Sequence, residues 1–371
     1  MFKIPLIKPY INHEVKAKVL EVLDSGYLTE GSVTHELEEL FRDYVGSRHA
    51  IAVTSCTTGL EVALRAVGIG PGDEVIVPDY TYPATAAAVN IVGAKAVIVD
   101  VSPETMLIDY DALEAAVTEK TRAIIPVSIF GNPLNYNRLD SIKKKHDLLV
   151  IEDAACAIGA SYQGKRVGSL ADISVFSLHP RKFITTGEGG VITANNDEWA
   201  GWMNSYKHFG MGGTDAREAI KFEMIGTNYK LSNVQAAIGL VQMQHIDELL
   251  SKRRALARNY THLLHDCHDS RVPETTSGGE HSYQSFCVFV EERDRVMKKM
   301  REQGIEVQIG TYALHMHKAF NDNPNCRIVD TMKGSRYAFD HCLTLPVYYD
   351  MTESNQEYAV ERLITTMSRK D

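Results

Sequence analysis

Short, almost wholly apolar runs rich in β-branched residues recur at 50–53, 74–77, 96–99, 123–127, 148–151, 173–176 and 190–193. Most are separated by stretches of helical periodicity. Strands that are apolar throughout, rather than alternating with polar residues, are covered on both faces, and such strands belong to parallel sheets flanked by helices. The pattern therefore predicts an α/β domain with a mostly parallel central sheet. In such sheets ligands bind beyond the carboxyl ends of the strands.

Beyond about residue 240 the pattern changes. Residues 246–264 read as one long amphipathic helix, followed by a turn at Ser277-Gly278-Gly279, a strand at 286–290, a charged helix at 293–303 and a last apolar segment at 342–347. This predicts a smaller α+β domain. The expected organisation is a large domain over residues 1–242 and a small one over 243–371. No internal repeat or low-complexity tract interrupts either part. The run Lys143-Lys144-Lys145 reads as a solvated helix end.

Of the 371 residues, 44% are hydrophobic and 23% charged, an ordinary globular composition with ample material for two cores. A net charge of −9 supplies no general field for nucleic acid or an anionic membrane. The six cysteines include no Cys-x-x-Cys and no His/Cys set at metal-ligand spacing, so a metal site is not expected and the thiols read as reduced. Near the start, Pro5, Lys8 and Pro9 break the apolar run before a signal core can form, and no stretch is long enough to span a bilayer. These features predict a cytoplasmic protein.

The candidate chemistry lies at the strand ends. Asp153, in Glu152-Asp153-Ala154-Ala155, follows one strand, and Ser177 follows another. Lys182 comes five residues later, just before Gly187-Glu188-Gly189-Gly190. A lysine amine can hold an aldehyde cofactor as a Schiff base, and a carboxylate against a pyridine nitrogen keeps that nitrogen protonated. The pairing of Lys182 with Asp153 thus suggests pyridoxal phosphate. Its phosphate needs N–H and hydroxyl donors at a helix start, which Ser55-Cys56-Thr57-Thr58-Gly59 offers ahead of the helix at 60–67. Thr57 and Thr58 are the chosen donors, with Ser177 as a further hydroxyl; a plain capped helix start is the alternative. Tyr82, in an aromatic loop after a strand, could stack on the pyridine face or pack in the core.

In this order along the chain, the motifs resemble those of the DegT/StrS family of pyridoxal-phosphate sugar aminotransferases, of fold-type I. They are Gly26-Tyr27-Leu28-Thr29-Glu30-Gly31, Gly70-Pro71-Gly72-Asp73-Glu74-Val75, Glu152-Asp153-Ala154-Ala155, the segment 177–190, Gly226-Thr227-Asn228-Tyr229-Lys230-Leu231-Ser232, and Leu345-Pro346. The resemblance implies that Lys182 is the Schiff-base lysine, Asp153 the partner of the ring nitrogen and Tyr82 the stacking ring. It further implies that Thr57, Thr58 and Ser177 hold the phosphate, together with Asn228 from a second subunit, so that a homodimer has composite sites. Cys156 stands where relatives carry His or Gln against the cofactor hydroxyl. Lys230 replaces a common arginine near the substrate, Ser128 stands where a histidine is frequent, and Thr29 is a further substrate contact.

The activity so implied is transfer of an amino group from an amino acid, glutamate, to a keto sugar on a nucleoside diphosphate, of the 4-keto-6-deoxyhexose type. Pyridoxamine phosphate is the intermediate form of the cofactor, and ping-pong kinetics follow. Amination of a free cyclic ketone such as an inosose remains an alternative. A sugar dehydratase on the same scaffold typically has histidine at the lysine position, and a non-catalytic sensor would lack the lysine or add a DNA-binding domain.

Overall fold

The seven strands expected of the large domain all form, and they lie in one eight-stranded sheet. The computed structural model describes residues 2–212 and 221–368. Across the sheet the order is His49–Val53, Gly190–Ala194, Ile173–Ser177, Leu149–Asp153, Thr121–Ile124, Glu74–Pro78, Lys95–Val99 and Cys326–Ile328. Alternate residues feed separate cores on the two faces. Ile76, Val97, Ile124 and Val150 pack to one side, and Val75, Val77, Ile98, Ala123 and Ile151 to the other. Both faces are therefore apolar, which is why the strands lack the alternation of a half-exposed sheet.

One strand departs from the parallel pattern. Gly190–Ala194 runs antiparallel to both neighbours, pairing Gly190 with Ser177 on one side and with Val53 on the other. The segment between Ser177 and Gly190 carries no helix to make a parallel crossover, so the chain can only turn back on itself. That reversal places the Lys182 loop at the rim where the parallel strands end.

The chain after Gln242 builds a second, antiparallel sheet of Ser270–Arg271, Phe286–Val290, Cys342–Leu345 and Gln308–Ile309. Its own core gathers Leu256, Tyr260, Val288, Val296, Leu343 and Leu363. The same stretch also pairs with the first part of the chain, twice in small separate sheets and once in the large one. Gly279–Glu280 pairs with Ser161–Tyr162, Tyr312–Ala313 pairs with Tyr80–Thr81, and Cys326–Ile328 extends the large sheet in parallel beside Lys95–Val99. The long helix Ile246–Leu263 bridges the two parts, with Leu249 and Leu250 in the first core and Leu256 and Tyr260 in the third.

Candidate active site

Asp153 is the last residue of its strand, and its backbone is fixed on both sides. Its N–H donates to Pro126 O at 3.0 Å, and the next N–H, of Ala154, donates to Val175 O at 3.0 Å. Successive side chains of a strand point to opposite faces. Glu152 accordingly turns into the core, where the hydroxyls of Ser128, Tyr136 and Ser174 donate to it at 2.5, 2.7 and 2.9 Å. Asp153 faces the other way. It accepts from Thr85 Oγ1 at 2.7 Å and from the Ala155 N–H at 3.1 Å, and Cys56 Sγ approaches it at 3.9 Å. Only 4% exposed, its carboxyl is pushed above the usual range by burial, against the pull of Thr85, Ala155, Lys182 and Cys56.

The helix Cys56–Ala66 starts beside this carboxylate. Ser55 caps it, its Oγ accepting from Thr58 N at 3.1 Å, while Thr58 Oγ1 accepts from Ser55 N at 3.1 Å. The helix start is thus a capping box, and the Thr58 hydroxyl is committed to it; Thr57 takes no part in the box. Two glycines let this turn press against the sheet. A Cβ on Gly190 would lie 2.6 Å from Ser55 C and 2.7 Å from Cys56 N, and a Cβ on Gly59 would lie 2.6 Å from Val175 Cγ1. The glycine run after Lys182, read from sequence as a turn, is therefore also the seat of the helix start. Ser177 lies level with Gly190, and its Oγ accepts weakly from the His179 N–H at 3.4 Å.

Lys182 sits on a loop pinned by residues far away in sequence. Gln284, 6% exposed, accepts from Phe183 N at 2.7 Å and donates to Arg181 O at 2.8 Å. Gln242, fully buried, accepts from Thr185 N and donates to Thr185 O, both at 3.0 Å. Arg253 then donates to the carbonyls of Tyr283 and Gln284 at 3.0 Å and lies over the Phe183 ring. Held this way, the Lys182 ammonium donates to Cys156 Sγ at 2.9 Å. Burial disfavours its charge, but the Cys156 sulfur and Asp153 outweigh that effect, so its pKa lies above the ordinary lysine value.

The remaining sequence candidates lie outward. Tyr82 is 65% exposed, its ring centroid 6.1 Å from that of Tyr312. Its turn is tied to the site, because Thr81 and Thr85 share a hydroxyl contact of 2.9 Å and Thr85 reaches Asp153. Thr29 and Asn228 are exposed. Lys230 Nζ donates to Asn228 Oδ1 at 2.7 Å and lies over the Phe209 ring. The structure thus gathers Lys182, Asp153, Cys156 and the Cys56 turn into one cluster and leaves Thr29, Tyr82, Asn228 and Lys230 on the surface. Sequence reasoning missed Thr85, Cys56, Gln242, Gln284 and Arg253. The first two had a signal, since both lie on helix starts next to motifs already chosen, while the others had none.

These residues suit pyridoxal phosphate. A buried carboxylate whose ionisation is disfavoured calls for a cationic neighbour, which a protonated ring nitrogen supplies. The amine, the N-terminal helix turn and the Ser177 hydroxyl provide the other donors. Fold and donor set together define a fold-type I pyridoxal-phosphate enzyme. A family model for the DegT/DnrJ/EryC1/StrS aminotransferase family matches residues 9–364, and the chain belongs to that family. GDP-perosamine synthase of Caulobacter vibrioides is 36% identical over 375 residues, covering 99% of this chain and 98% of the relative. Spr1654 of Streptococcus pneumoniae, described as a sugar aminotransferase, superposes in its PMP form with a TM-score of 0.93 at 27% identity, covering 99% of each chain. Its PLP form gives 0.92 at 28% identity, covering 98% of each. DesV of S. venezuelae gives 0.93 at 28% identity over the full length of both chains. The protein is a pyridoxal-phosphate-dependent aminotransferase. Among the described residues no helix is long and apolar enough to cross a membrane.

Proposed function

We propose that this aminotransferase moves an amino group from glutamate to a 4-keto-6-deoxyhexose carried on a nucleoside diphosphate. The observation that carries the reading is the Lys182 amine beside Asp153 and Cys156 at the sheet rim, in a chain whose near-full-length relative is GDP-perosamine synthase. When bound, the cofactor supplies an electron sink that lets a proton leave the carbon bearing the amino group.

The chain's own residues do the rest. Lys182 would hold the cofactor at rest and, once displaced by the donor amine, carry the proton between the amino-bearing carbon and the cofactor carbon. Asp153 would keep the ring nitrogen protonated, and Tyr82 would cover the ring. The N–H groups of the Cys56 turn, with Thr57, Thr58 and Ser177, would hold the phosphate; Thr58 would do so mainly through its backbone, because its hydroxyl caps the helix. Cys156 would face the cofactor hydroxyl side, and Thr29 and Lys230 the sugar nucleotide.

Asn228 would reach the phosphate of a second copy, making a homodimer with shared sites. Its exposure supports this, as does its setting near Phe222 and Ile225, which are 65% and 97% exposed. Donor and acceptor then react in separate half-reactions, and initial rates should give parallel double-reciprocal lines. The test incubates purified protein with glutamate and a panel of GDP- and dTDP-linked 4-keto-6-deoxyhexoses, and follows amino-sugar formation by mass spectrometry. Amination of a free cyclic ketone with none of the nucleotide sugars converted would overturn the substrate class.

A further inference from the structure

Two cysteines approach the amine and carboxylate of the site, and they differ in access. Cys56 is 8% exposed and its sulfur lies against Asp153 Oδ1 and Val175 O, at 3.9 and 3.7 Å. Cys156 is half-buried, as is Lys182, and its sulfur is the one that meets the lysine nitrogen, at 2.9 Å. No main-chain motion is needed to bring these two atoms together, because they are already in contact and the lysine loop is held by its bonds to Gln242 and Gln284. An amine within contact of an accessible sulfur is placed to trap that sulfur once it is oxidised.

We propose that Cys156 is a peroxide-sensitive modification site whose product is a direct sulfur–nitrogen bond to Lys182. In the first step the sulfur attacks hydrogen peroxide. The O–O bond breaks, one oxygen stays on sulfur as a sulfenic acid, and the other leaves as water with the thiol proton. In the second step the neutral Lys182 amine attacks the sulfenic sulfur. The S–N bond forms, the S–O bond breaks, and the hydroxyl leaves as water with a proton from the amine. Overall the sulfur loses two electrons, and the peroxide becomes two waters. A low-molecular-weight dithiol reverses the change, delivering two electrons and two protons to restore thiol and amine while it becomes a disulfide. The second step needs the uncharged amine, so the link forms faster as pH rises toward the lysine pKa, which the Cys156 contact and Asp153 hold high against burial.

The functional consequence rests on the reading of Lys182 as the cofactor lysine. With its nitrogen bound to sulfur, Lys182 cannot take up pyridoxal phosphate; with the cofactor in place, the nitrogen is occupied and the link cannot form. The bond itself depends only on the contact. The test uses the full chain freed of cofactor and, in parallel, the holoenzyme. Both are exposed to hydrogen peroxide, alkylated, digested without reductant and mapped by mass spectrometry. The cofactor-free chain should yield a Cys156–Lys182 peptide pair lighter than the sum of its parts by two hydrogens. Dithiothreitol should release it, and neither the holoenzyme nor Cys156→Ser should give it. Uptake of added pyridoxal phosphate, read by its absorbance, should fall at least tenfold after peroxide and recover with dithiothreitol. The holoenzyme arm is a control in the native chain should Cys156→Ser fold poorly. Oxidation of Cys156 to sulfinic acid without a linked pair would overturn the proposal. Borohydride fixation of the cofactor in untreated protein separates the two readings. A link with the cofactor on another lysine retains the modification site and removes its consequence, whereas the cofactor on Lys182 without a link removes the proposal alone.

Discussion

The loop that carries Lys182 and the surface that carries Asn228, which the proposed function brings to one site, are built in opposite ways. The Lys182 loop is closed by three buried polar residues of this same chain: Gln242 and Gln284 bond to its backbone, and Arg253 bonds to the Gln284 carbonyl and lies over the Phe183 ring. Asn228 by contrast lies in solvent beside the exposed Phe222 and Ile225, and Thr29 and Tyr82 are exposed as well. A polar network that is satisfied internally fixes geometry, whereas apolar side chains left exposed around a functional residue call for a partner. The lysine side of the proposed site is thus fixed within one chain, and the Asn228 side is not.

The sharpest way to break this comparison is to damage each side separately. Lys182→Ala should abolish turnover, and borohydride mapping should place the cofactor on Lys182 in the unaltered protein. Asn228→Asp should also abolish it, by setting a carboxylate against the phosphate. If the two sides come from different subunits, a mixed dimer of these variants has one doubly damaged site and one intact site. Activity should then rise from background to roughly a quarter of wild type on random subunit exchange. Heterodimers that form and stay inactive would place Asn228 in its own chain's site.

Asp153→Asn probes the lysine side. Turnover should fall by about two orders of magnitude, since an amide cannot hold the ring nitrogen protonated. Stability should move the other way in the cofactor-free chain. The Asp153 pKa is raised on folding, so its contribution is fully present below the unfolded value and is lost as pH rises through the folded one. At neutral pH the buried charge is a penalty, which asparagine removes. A cofactor-free Asp153→Asn chain that melts below wild type at pH 7 would contradict this account of the carboxylate.

Gln284→Ala should have a smaller effect. It leaves the buried Phe183 N and the partly buried Arg181 O without this partner, at a cost of about 1–3 kcal/mol. The loop should then hold Lys182 loosely, with cofactor retention reduced about tenfold. Dilution followed by absorbance of released cofactor measures it; retention equal to wild type would mean that Gln242 suffices.

How far this contrast could be read from sequence depends on range. The strands were legible because each is a continuous apolar run buried on both faces, and Asp153 was legible because it ends one of them. Gln242 and Gln284 were not. Gln242 is one polar residue on a mostly buried helix and Gln284 one in the bend before a strand, and each acts 57 or more residues away from its own position. Cys326–Ile328 gave no strand signal either, since three residues after an Asn-Pro-Asn turn become a strand only because Lys95–Val99 offers them an open edge. Lys182 stood between the two cases, with its glycine run visible in the sequence and its orientation set by the distant glutamines. The outward residues Thr29, Asn228 and Lys230 came into view through family resemblance alone, because a polar residue at the surface carries no local signal that separates it from its solvated neighbours.

The smallest effect concerns pH and the turn behind Gln284. His281 Nδ1 accepts from Tyr283 N at 2.7 Å, and the ring stacks on Tyr283 with centroids 4.1 Å apart. Burial, assisted by the positive charge of Arg254, lowers its pKa from 6.5 to about 3. The folded chain therefore keeps the ring neutral where the unfolded chain binds a proton, so stability is lost as pH falls below 6.5 toward about 3. By about pH 5 the loss attributable to this residue is about 2 kcal/mol. Protonation would also turn the Nδ1 acceptor into a donor facing the Tyr283 N–H, loosening the turn that carries Gln284 and with it the Lys182 loop. His281→Asn keeps an acceptor two residues ahead of that N–H, as an Asx turn does, but has nothing to titrate. Urea unfolding of both chains between pH 7 and 5 should show a flatter acid limb for the variant, together with cofactor retention that no longer declines with acid. Parallel limbs would move the acid sensitivity elsewhere in the molecule and leave the Lys182 loop indifferent to His281.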